Sequence, residues 1–502
     1  MTNKEAKRDA RAVKQFNDIV YRGHKVASIA PKKPSQGNRK GGGLTDAESE
    51  EALAQDYTRL LGMLLPGVLV KLSELKDPRK ESMCTHTIEI LIIYGLIMFL
   101  SHMPSRRAAN REIGGNATFE LIRNAIPELT TMPHADTLAR LLEGIDAEEL
   151  EASYENTLVE FIKSKTFLEI NPGRCLIAID GTQKFTRKYK FADLALVYSK
   201  GDEAKERYSS YVLESVLILE NKMVLPLFSE FLENSDGELD DSTKKQDCEL
   251  KAFTRLTNKI EKYIGKGRVT LVVDGLYANG PVVSRCKALG WDYMITLRRG
   301  SLQSVWEDYD GLRKCEPENT LQNESEGRHQ TFNWSNKIEY TYGGNHKKLY
   351  LNVVTCREEW DEERPRSGKK RQRKVSEYAW LSSAEIDRIN VLSLCNMIAR
   401  KRWRIENHFH VEKNQGYGYS HCFSYNWNAM KAFQSLMKFA HFINTLIANS
   451  MIICEYVASQ GTRWFIKKVW DVLRYRGVRD QLAQVMFNKG RRGYRDIKLK
   501  TS

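Results

Sequence analysis

The stretch VTLVVDGLYANG at residues 269–280 decides the fold of this chain. Its first five residues are apolar or β-branched throughout, the composition of a strand buried on both faces, and the Asp-Gly pair that follows is a turn. PVVSRCKALG at 281–290 then reads as a helix and WDYMITL at 291–297 as a second buried strand, which makes a β-α-β unit. The carboxylate of Asp274 is thereby delivered to a strand tip. CLIAIDGTQ at 175–183 repeats the pattern and brings Asp180 to another strand tip. A third acidic residue, Glu406, lies in RKRWRIENHFHVEKNQG at 400–416, where Trp403, Ile405, Phe409 and Val411 alternate with charges. Arg402, Glu406 and Lys413 recur there at close to whole helical turns, so the spacing predicts one shared helix face.

Three carboxylates drawn together repel one another unless a cation sits between them, and hard Mg²⁺ prefers oxygen ligands. Such a set suits two ions, which at a spacing of about 3.5 to 4 Å can serve both the attacking and the leaving oxygen of a phosphoryl transfer. Arg402 and Lys413 would hold the phosphates of the substrate. Each element alone has an ordinary explanation: Asp-Gly is a common turn, and a Glu among Arg and Lys is usually a solvated salt-bridge face. Their combination in one basic chain points to a nuclease-type metal site.

The order Asp, Asp, Glu with Arg-x₃-Glu-x₆-Lys around the last resembles the DDE transposases of bacterial insertion sequences, in particular the subgroup marked by Tyr-x₂-Arg-x₃-Glu-x₆-Lys. Arg402, Glu406 and Lys413 match that spacing, and Ala399 stands at the Tyr position, which in the family helps to place a DNA end. KQDCELKAF (245–253), GWDYMITLRRGSLQSVWE (290–307) and RWRIENHFHVEKNQGYGYSH (402–421) are also similar to that family, and the resemblance spans roughly residues 60 to 450. It implies an α/β, RNase H-like catalytic domain with an inserted β-rich domain, preceded by an all-helical N-terminal domain. It further implies Asp180, Asp274 and Glu406 as catalytic metal ligands for two Mg²⁺, with Mn²⁺ able to substitute. The partners it implies are double-stranded DNA, both terminal inverted repeats and target, and a second copy of the chain on that DNA. The expected activity is cut-and-paste transposition. The alternatives are a stand-alone RNase H-like nuclease, indifferent to inverted repeats, and a domesticated DNA-binding protein that no longer cuts.

Composition agrees. The 502 residues carry 78 Lys and Arg against 64 Asp and Glu, a net charge of +14, which favours a polyanionic partner. The basic residues cluster in an arm at 1–44, in RPRSGKKRQRK at 364–374 and in a tail at 461–502. Between arm and first catalytic strand, residues 45–170 carry apolar residues at helical spacing and are expected to bind DNA, with Arg106, Arg107 and Arg111 near one helical face. PHADTLARLLEGI at 133–145 predicts a helix capped by Asp136 or Thr137.

The core is expected in two parts, 171–298 and 386–460, the second carrying the Glu406 helix and an amphipathic helix that packs back on the sheet. The 131 residues from 275 to 405 exceed a minimal RNase H-like connection. TFNWSNKIEYTY, KKLYLNVVTC and EYAWLSS alternate as strands, so the stretch 299–385 is expected to be a β-rich insertion, with Trp306, Trp334 and Trp380 either core or sheet-face residues or candidates for stacking on a displaced base. Asp247 is expected to cap the helix CELKAFTRLTNKIEKYI, and the acidic stretch at 233–249 lacks the ligand order of a calcium loop. His408, His410 and His421 are expected in surface or capping roles.

Other classes find little support. The charged N-terminus lacks the apolar core of a signal peptide, and IEILIIYGLIMFLSHM at 88–103 is too short to span a bilayer, so a cytoplasmic protein without membrane contact is expected. Nine scattered cysteines show no zinc-finger spacing, and no Gly-x₄-Gly-Lys-Ser/Thr phosphate loop is present.

Overall fold

In the computed structural model, residues 46–72, 74–114, 118–120, 123, 129–198, 206–234, 247–362, 372–475 and 497–500 are described. The expected basic arm, most of the basic run at 364–374, most of the acidic stretch at 233–249 and residues 476–496 of the basic tail lie outside them.

The first part of the chain is helical: α1 (Asp46–Leu72), α2 (Ile88–Leu100), α3 (Arg106–Glu112), α4 (Ala135–Gly144), α5 (Ala147–Ile162) and α6 (Lys165–Ile170). Every residue of α2 except Glu89 is buried, as an apolar pattern on all sides of a helix requires. Among the described residues no helix is long and apolar enough to cross a membrane. The cap of α4 differs from expectation. The helix starts at Ala135, so the cap position falls on His134, whose Nδ1 accepts from the backbone N–H of Asp136 at 3.3 Å. Asp136 itself, in the first turn, is drawn into an ion pair with Arg106 at 3.1 Å.

The sheet begins with β1 (Cys175–Arg187), the short β2 (Leu196–Tyr198), β3 (Arg207–Ile218) and β4 (Val224–Phe231), followed by α7 (Glu249–Ile264), β5 (Val269–Val273), α8 (Gly280–Leu289) and β6 (Asp292–Thr296). Spatially these run β4-β3-β1-β5-β6, antiparallel from β4 to β1 and parallel from β1 to β6. That is the expected order, hairpin-connected strands followed by β-α-β alternation. Asn279 caps α8 by accepting from the N–H of Val282, and the helix ends on Gly290 in the left-handed conformation, φ 64°. Cys248, without a side-chain bond, holds the cap position of α7; Asp247 instead accepts from the backbone N–H of Glu233 and Cys248 and pairs with Arg255 at 2.8 Å.

One expectation about β1 is corrected. The strand does not stop at Asp180-Gly181 but runs on to Arg187, because β3 continues to pair with it through Gly181, Thr182 and beyond. What stops at that point is the parallel pairing with β5, whose last pair is Ile179 with Val273.

The chain then forms α9 (Gln303–Cys315), β7 (Thr320–Ser325), β8 (Arg328–Tyr342), β9 (Lys347–Glu362) and β10 (Gln372–Ser382). These strands extend the central sheet. β10 pairs antiparallel with β6 from Trp380–Thr296 to Ser382–Met294, and the order continues β6-β10-β9-β8-β7. Trp306, Trp334 and Trp380 are 4 %, 2 % and 4 % exposed. They are core residues, since alternation along β8 and β10 points Trp334 and Trp380 into the apolar layer with Phe332, Val354 and Met294.

The last segment carries α10 (Arg404–Asn414), α11 (Trp427–Ala448), α12 (Cys454–Gln460) and α13 (Thr462–Tyr475). Ile405 and Phe409, one turn apart, seat α10 on the sheet against Leu176, Ala178 and Val272. α11 was expected to be amphipathic, yet nearly all of it is buried, because α2, α4, α5 and β4 surround it. Its polar residues Gln434, Lys438, His441 and Asn444 fall at three- and four-residue spacing and form a buried stripe.

Candidate active site at the ends of the paired strands

Asp180 and Asp274 each follow directly on the last parallel pair, Ile179 and Val273, so they stand level on neighbouring strands about 4.8 Å apart. The carboxylate of Asp180 accepts from the N–H of Gly181 at 2.9 Å. That of Asp274 caps a turn of 3₁₀-helix at Gly275–Tyr277, accepting from Leu276, and takes a second bond from Nη2 of Arg298 at 2.8 Å. Both are largely covered, with side-chain exposures of 24 % and 22 %.

Glu406 is contributed by α10. It lies in the first turn of α10, and the chain enters that helix through a π-helical turn at Ser393–Ile398 and a 3₁₀ stretch at Ala399–Trp403. Irregular helix of this kind often marks a functional segment. Ala399, at the junction, is buried, and Arg402 lies in the 3₁₀ stretch. Its guanidinium touches two carboxylates at once: Nη2 is 2.8 Å from Oε1 of Glu406 and Nη1 is 3.7 Å from Oδ2 of Asp180. Arg402 thus links Glu406 to Asp180, which stands beside Asp274 at the end of the neighbouring strand.

The electrostatics are those of a site that wants positive charge. Burial, and then the negative charge of Asp274, push the Asp180 carboxyl up to about 6. Two guanidiniums answer this demand, Arg298 on Asp274 and Arg402 between Asp180 and Glu406. The donor set is all carboxylate oxygen, which fits a hard divalent ion, and Arg402 lies where such a cation would be needed.

Sequence reasoning missed a fourth carboxylate. Glu249, the first residue of α7, lies on the opposite face of β1 beneath Gly181, its oxygens held by the hydroxyls of Tyr211 at 2.7 Å and Tyr277 at 3.2 Å. A Cβ at Gly181 would come within 2.7 Å of both the Glu249 carboxyl and the Tyr211 ring, so glycine is required there by close approach. The stretch KQDCELKAF carried this residue in plain view, but no periodicity connects it to a strand tip four elements away. Equally hidden was Glu214, opposite Asp180 on β3 and buried, whose carboxylate accepts from Lys438 at 2.8 Å, Ser229 at 2.8 Å, Gln434 at 2.7 Å and Tyr419 at 3.1 Å.

The residues expected to contact DNA divide. Lys413 donates to the hydroxyl of Thr182 on β1, one residue beyond Gly181, and burial lowers its ammonium below the usual lysine range. On α3, Arg106 is paired with Asp136 and Arg111 with its neighbour Glu112 at 2.9 Å, while Arg107 is exposed. A cleft of about 580 Å³ opens beside the carboxylates, lined by Arg298, Arg299, Arg400, Arg402, Tyr378 and Trp403. Trp403 is 56 % exposed, and the Arg402 guanidinium lies 4.8 Å from its ring. His408 is buried, contrary to the expected surface role, whereas His410 and His421 are exposed.

Comparison with known families gives two matches. The model described as Transposase DDE domain matches residues 242–443, and the one described as DDE_Tnp_1-associated matches residues 69–156. The first stretch contains Asp274 and Glu406, and Asp180 precedes it. No curated protein matches the chain. Transposase DDE domains have an RNase H-like fold, act on DNA and use divalent metal ions. With both models matched in chain order over more than half of its length, the chain belongs to the insertion-sequence DDE transposases.

Proposed function

We propose that this transposase binds the terminal inverted repeats of its own element and carries out cut-and-paste transposition, with Asp180, Asp274 and Glu406 holding two Mg²⁺, or Mn²⁺ in their place. The observation that carries this reading is the single guanidinium of Arg402 resting on Asp180 and Glu406, with Asp274 next to Asp180 at the end of the neighbouring strand. When bound, the ions would stabilise charge on the attacking and leaving oxygens of the phosphodiester. The chain's own groups do the rest. Arg402, displaced from the carboxylates, turns to a phosphate oxygen, and Arg298 and Lys413 flank the same strand. The cleft between β6, β10 and the 3₁₀ stretch receives the DNA end, and the exposed face of Trp403 takes a base unstacked from it. Water first cleaves the phosphodiester at the element's end; the released 3′-hydroxyl then attacks a second phosphodiester, so bonds are exchanged without an external energy source. Arg106, Arg107 and Arg111 contact the backbone of the repeat, and a dimer holds the two ends together.

The test uses supercoiled plasmid with and without the DNA that flanks this coding region. Cleavage confined to the ends supports the reading, and equal cutting of both plasmids identifies a nuclease instead. Asp274→Ala should lower cleavage at least about 100-fold, beyond the loss typical of groups that merely support a ligand, with DNA affinity kept. A variant that cuts as well as the parent refutes the assignment.

A further inference from the structure

A second cluster of ligating side chains lies behind the catalytic helix, on the side away from the DNA cleft. His408 and Glu412 stand one turn apart on α10, and His441 reaches them from α11; all three are buried. Nε2 of His408 lies 3.0 Å and Nδ1 of His441 2.9 Å from the same oxygen, Oε1 of Glu412, and the three ligating atoms fall within 4.8 Å of one another. The two imidazoles stack at 4.6 Å with planes 14° apart, so their nitrogens are aimed side by side.

The hydrogen bonding is lopsided. Two imidazoles share one carboxylate oxygen, and the other, Oε2, is buried with no hydrogen-bond partner among the described residues. An unsatisfied oxygen on a buried carboxylate is costly, of order 1–3 kcal/mol, and calls for an explanation. A cluster built only for hydrogen bonding would give each imidazole its own oxygen. Convergence of two nitrogens and a carboxylate on one point is the arrangement of a metal site, and neutral imidazole with carboxylate suits Zn²⁺. With metal–ligand distances of about 2.0 to 2.1 Å, a tetrahedral ion separates its donors by about 3.4 Å, close to the spacing already present. His408 and His441 border a cavity of about 290 Å³ that is also lined by His102, Asn407, Tyr417 and Thr445. Both ring nitrogens of His102 are buried there, with no partner among the described residues.

We propose that His408, Glu412 and His441 bind one Zn²⁺ that clamps α10 to α11. The ion is structural. Glu406 precedes His408 by two residues on the same helix, so the clamp fixes the height of Glu406 over the strand ends. The site stands apart from Asp180, Asp274 and Glu406 and does not depend on their role.

The full-length chain, stripped with chelator and reloaded with Zn²⁺ or Co²⁺, tests this. Metal per chain is measured by elemental analysis, and the visible band of Co²⁺ reports its coordination. The parent protein and a triple variant, Asp180→Ala with Asp274→Ala and Glu406→Ala, should both retain about one tightly held ion and the strong band of tetrahedral cobalt. His441→Ala and the near-isosteric Glu412→Gln should each lower retention more than tenfold. Loss of the ion in the triple variant, full retention in Glu412→Gln, or a parent protein that holds none overturns the proposal. If His441→Ala does not fold, Glu412→Gln and the parent spectrum decide.

Discussion

Lys438→Met tests how the strand that carries Asp180 is supported. Lys438 and Glu214 form an ion pair with side-chain exposures of 4 % and 2 %, and Glu214 stands opposite Asp180 in the β1–β3 register. Methionine keeps most of the lysine's length and volume, so the change removes charge with little change in packing. Truncating one partner of a buried pair leaves an uncompensated charge and costs about 3–5 kcal/mol. Here Lys184 is also buried beside Glu214, bonded to Gln434, with Glu214 the leading attraction on its charge. It compensates part of the loss, which puts the expected value near the lower end, about 3 kcal/mol. Urea unfolding of the metal-free protein, followed by far-ultraviolet circular dichroism, measures it. The double variant Lys438→Met with Glu214→Gln removes both charges and should recover more than half of that loss, since exchange of a whole buried pair is often near neutral. A single variant as stable as the parent, or a double variant less stable than the single one, would show that Glu214 is not held as a buried anion.

Three further outcomes are expected. The Asp180 carboxyl sits near 6 in the fold, above its ordinary 3.8, so the stability it contributes to the metal-free chain is complete below pH 3.8 and is lost as pH rises through about 6. Divalent metal needs the ionised form, so Mg²⁺ affinity measured by calorimetry should fall by up to about tenfold per pH unit below 6, and a flat profile would contradict it. Gly181→Ala should disturb Glu249 and Tyr211 and cut strand cleavage while leaving the retained affinity for element-end DNA, read by gel shift, near that of the parent; normal cleavage would show that the 2.7 Å approach is relieved at no cost. Trp306→Ala should lower stability by about 3–5 kcal/mol, as loss of a buried indole does, and its thermal midpoint should drop before any effect on DNA affinity is seen.

The chain announces the strands that carry Asp180 and Asp274 clearly because a doubly covered strand needs an unbroken apolar run, and VTLVV and CLIAI are such runs. Arg402 and Glu406 were legible for a similar reason, since a four-residue spacing is a physical contact on a helix. What the sequence hid depends on elements far apart in the chain. Glu249 reaches Gly181 only once α7 has packed under β1, and a lone carboxylate at a helix start looks like ordinary capping. Lys438 and His441 lie in a helix expected to be amphipathic, yet the surrounding helices bury them, so that its polar positions form a buried stripe. Trp334 and Trp380 left core and stacking roles both open because alternation shows that a residue has a side, and only the assembled sheet shows which side is covered. The run-on of β1 past Asp-Gly was invisible for the same cause: a turn signal yields when the neighbouring strand keeps supplying hydrogen bonds.

The antiparallel join of β10 to β6 has a consequence for anyone engineering this enzyme. A shortened version that jumps from Thr296 to Ser383 would strip β6 of its partner, baring a row of backbone amides and carbonyls beside the apolar side chains of Met294 and Ile295. Such an edge recruits other chains, so the trimmed protein should precipitate. Modules grafted onto this transposase belong at the hairpin tip between β8 and β9, around Gly343 and Gly344, where no pairing is severed.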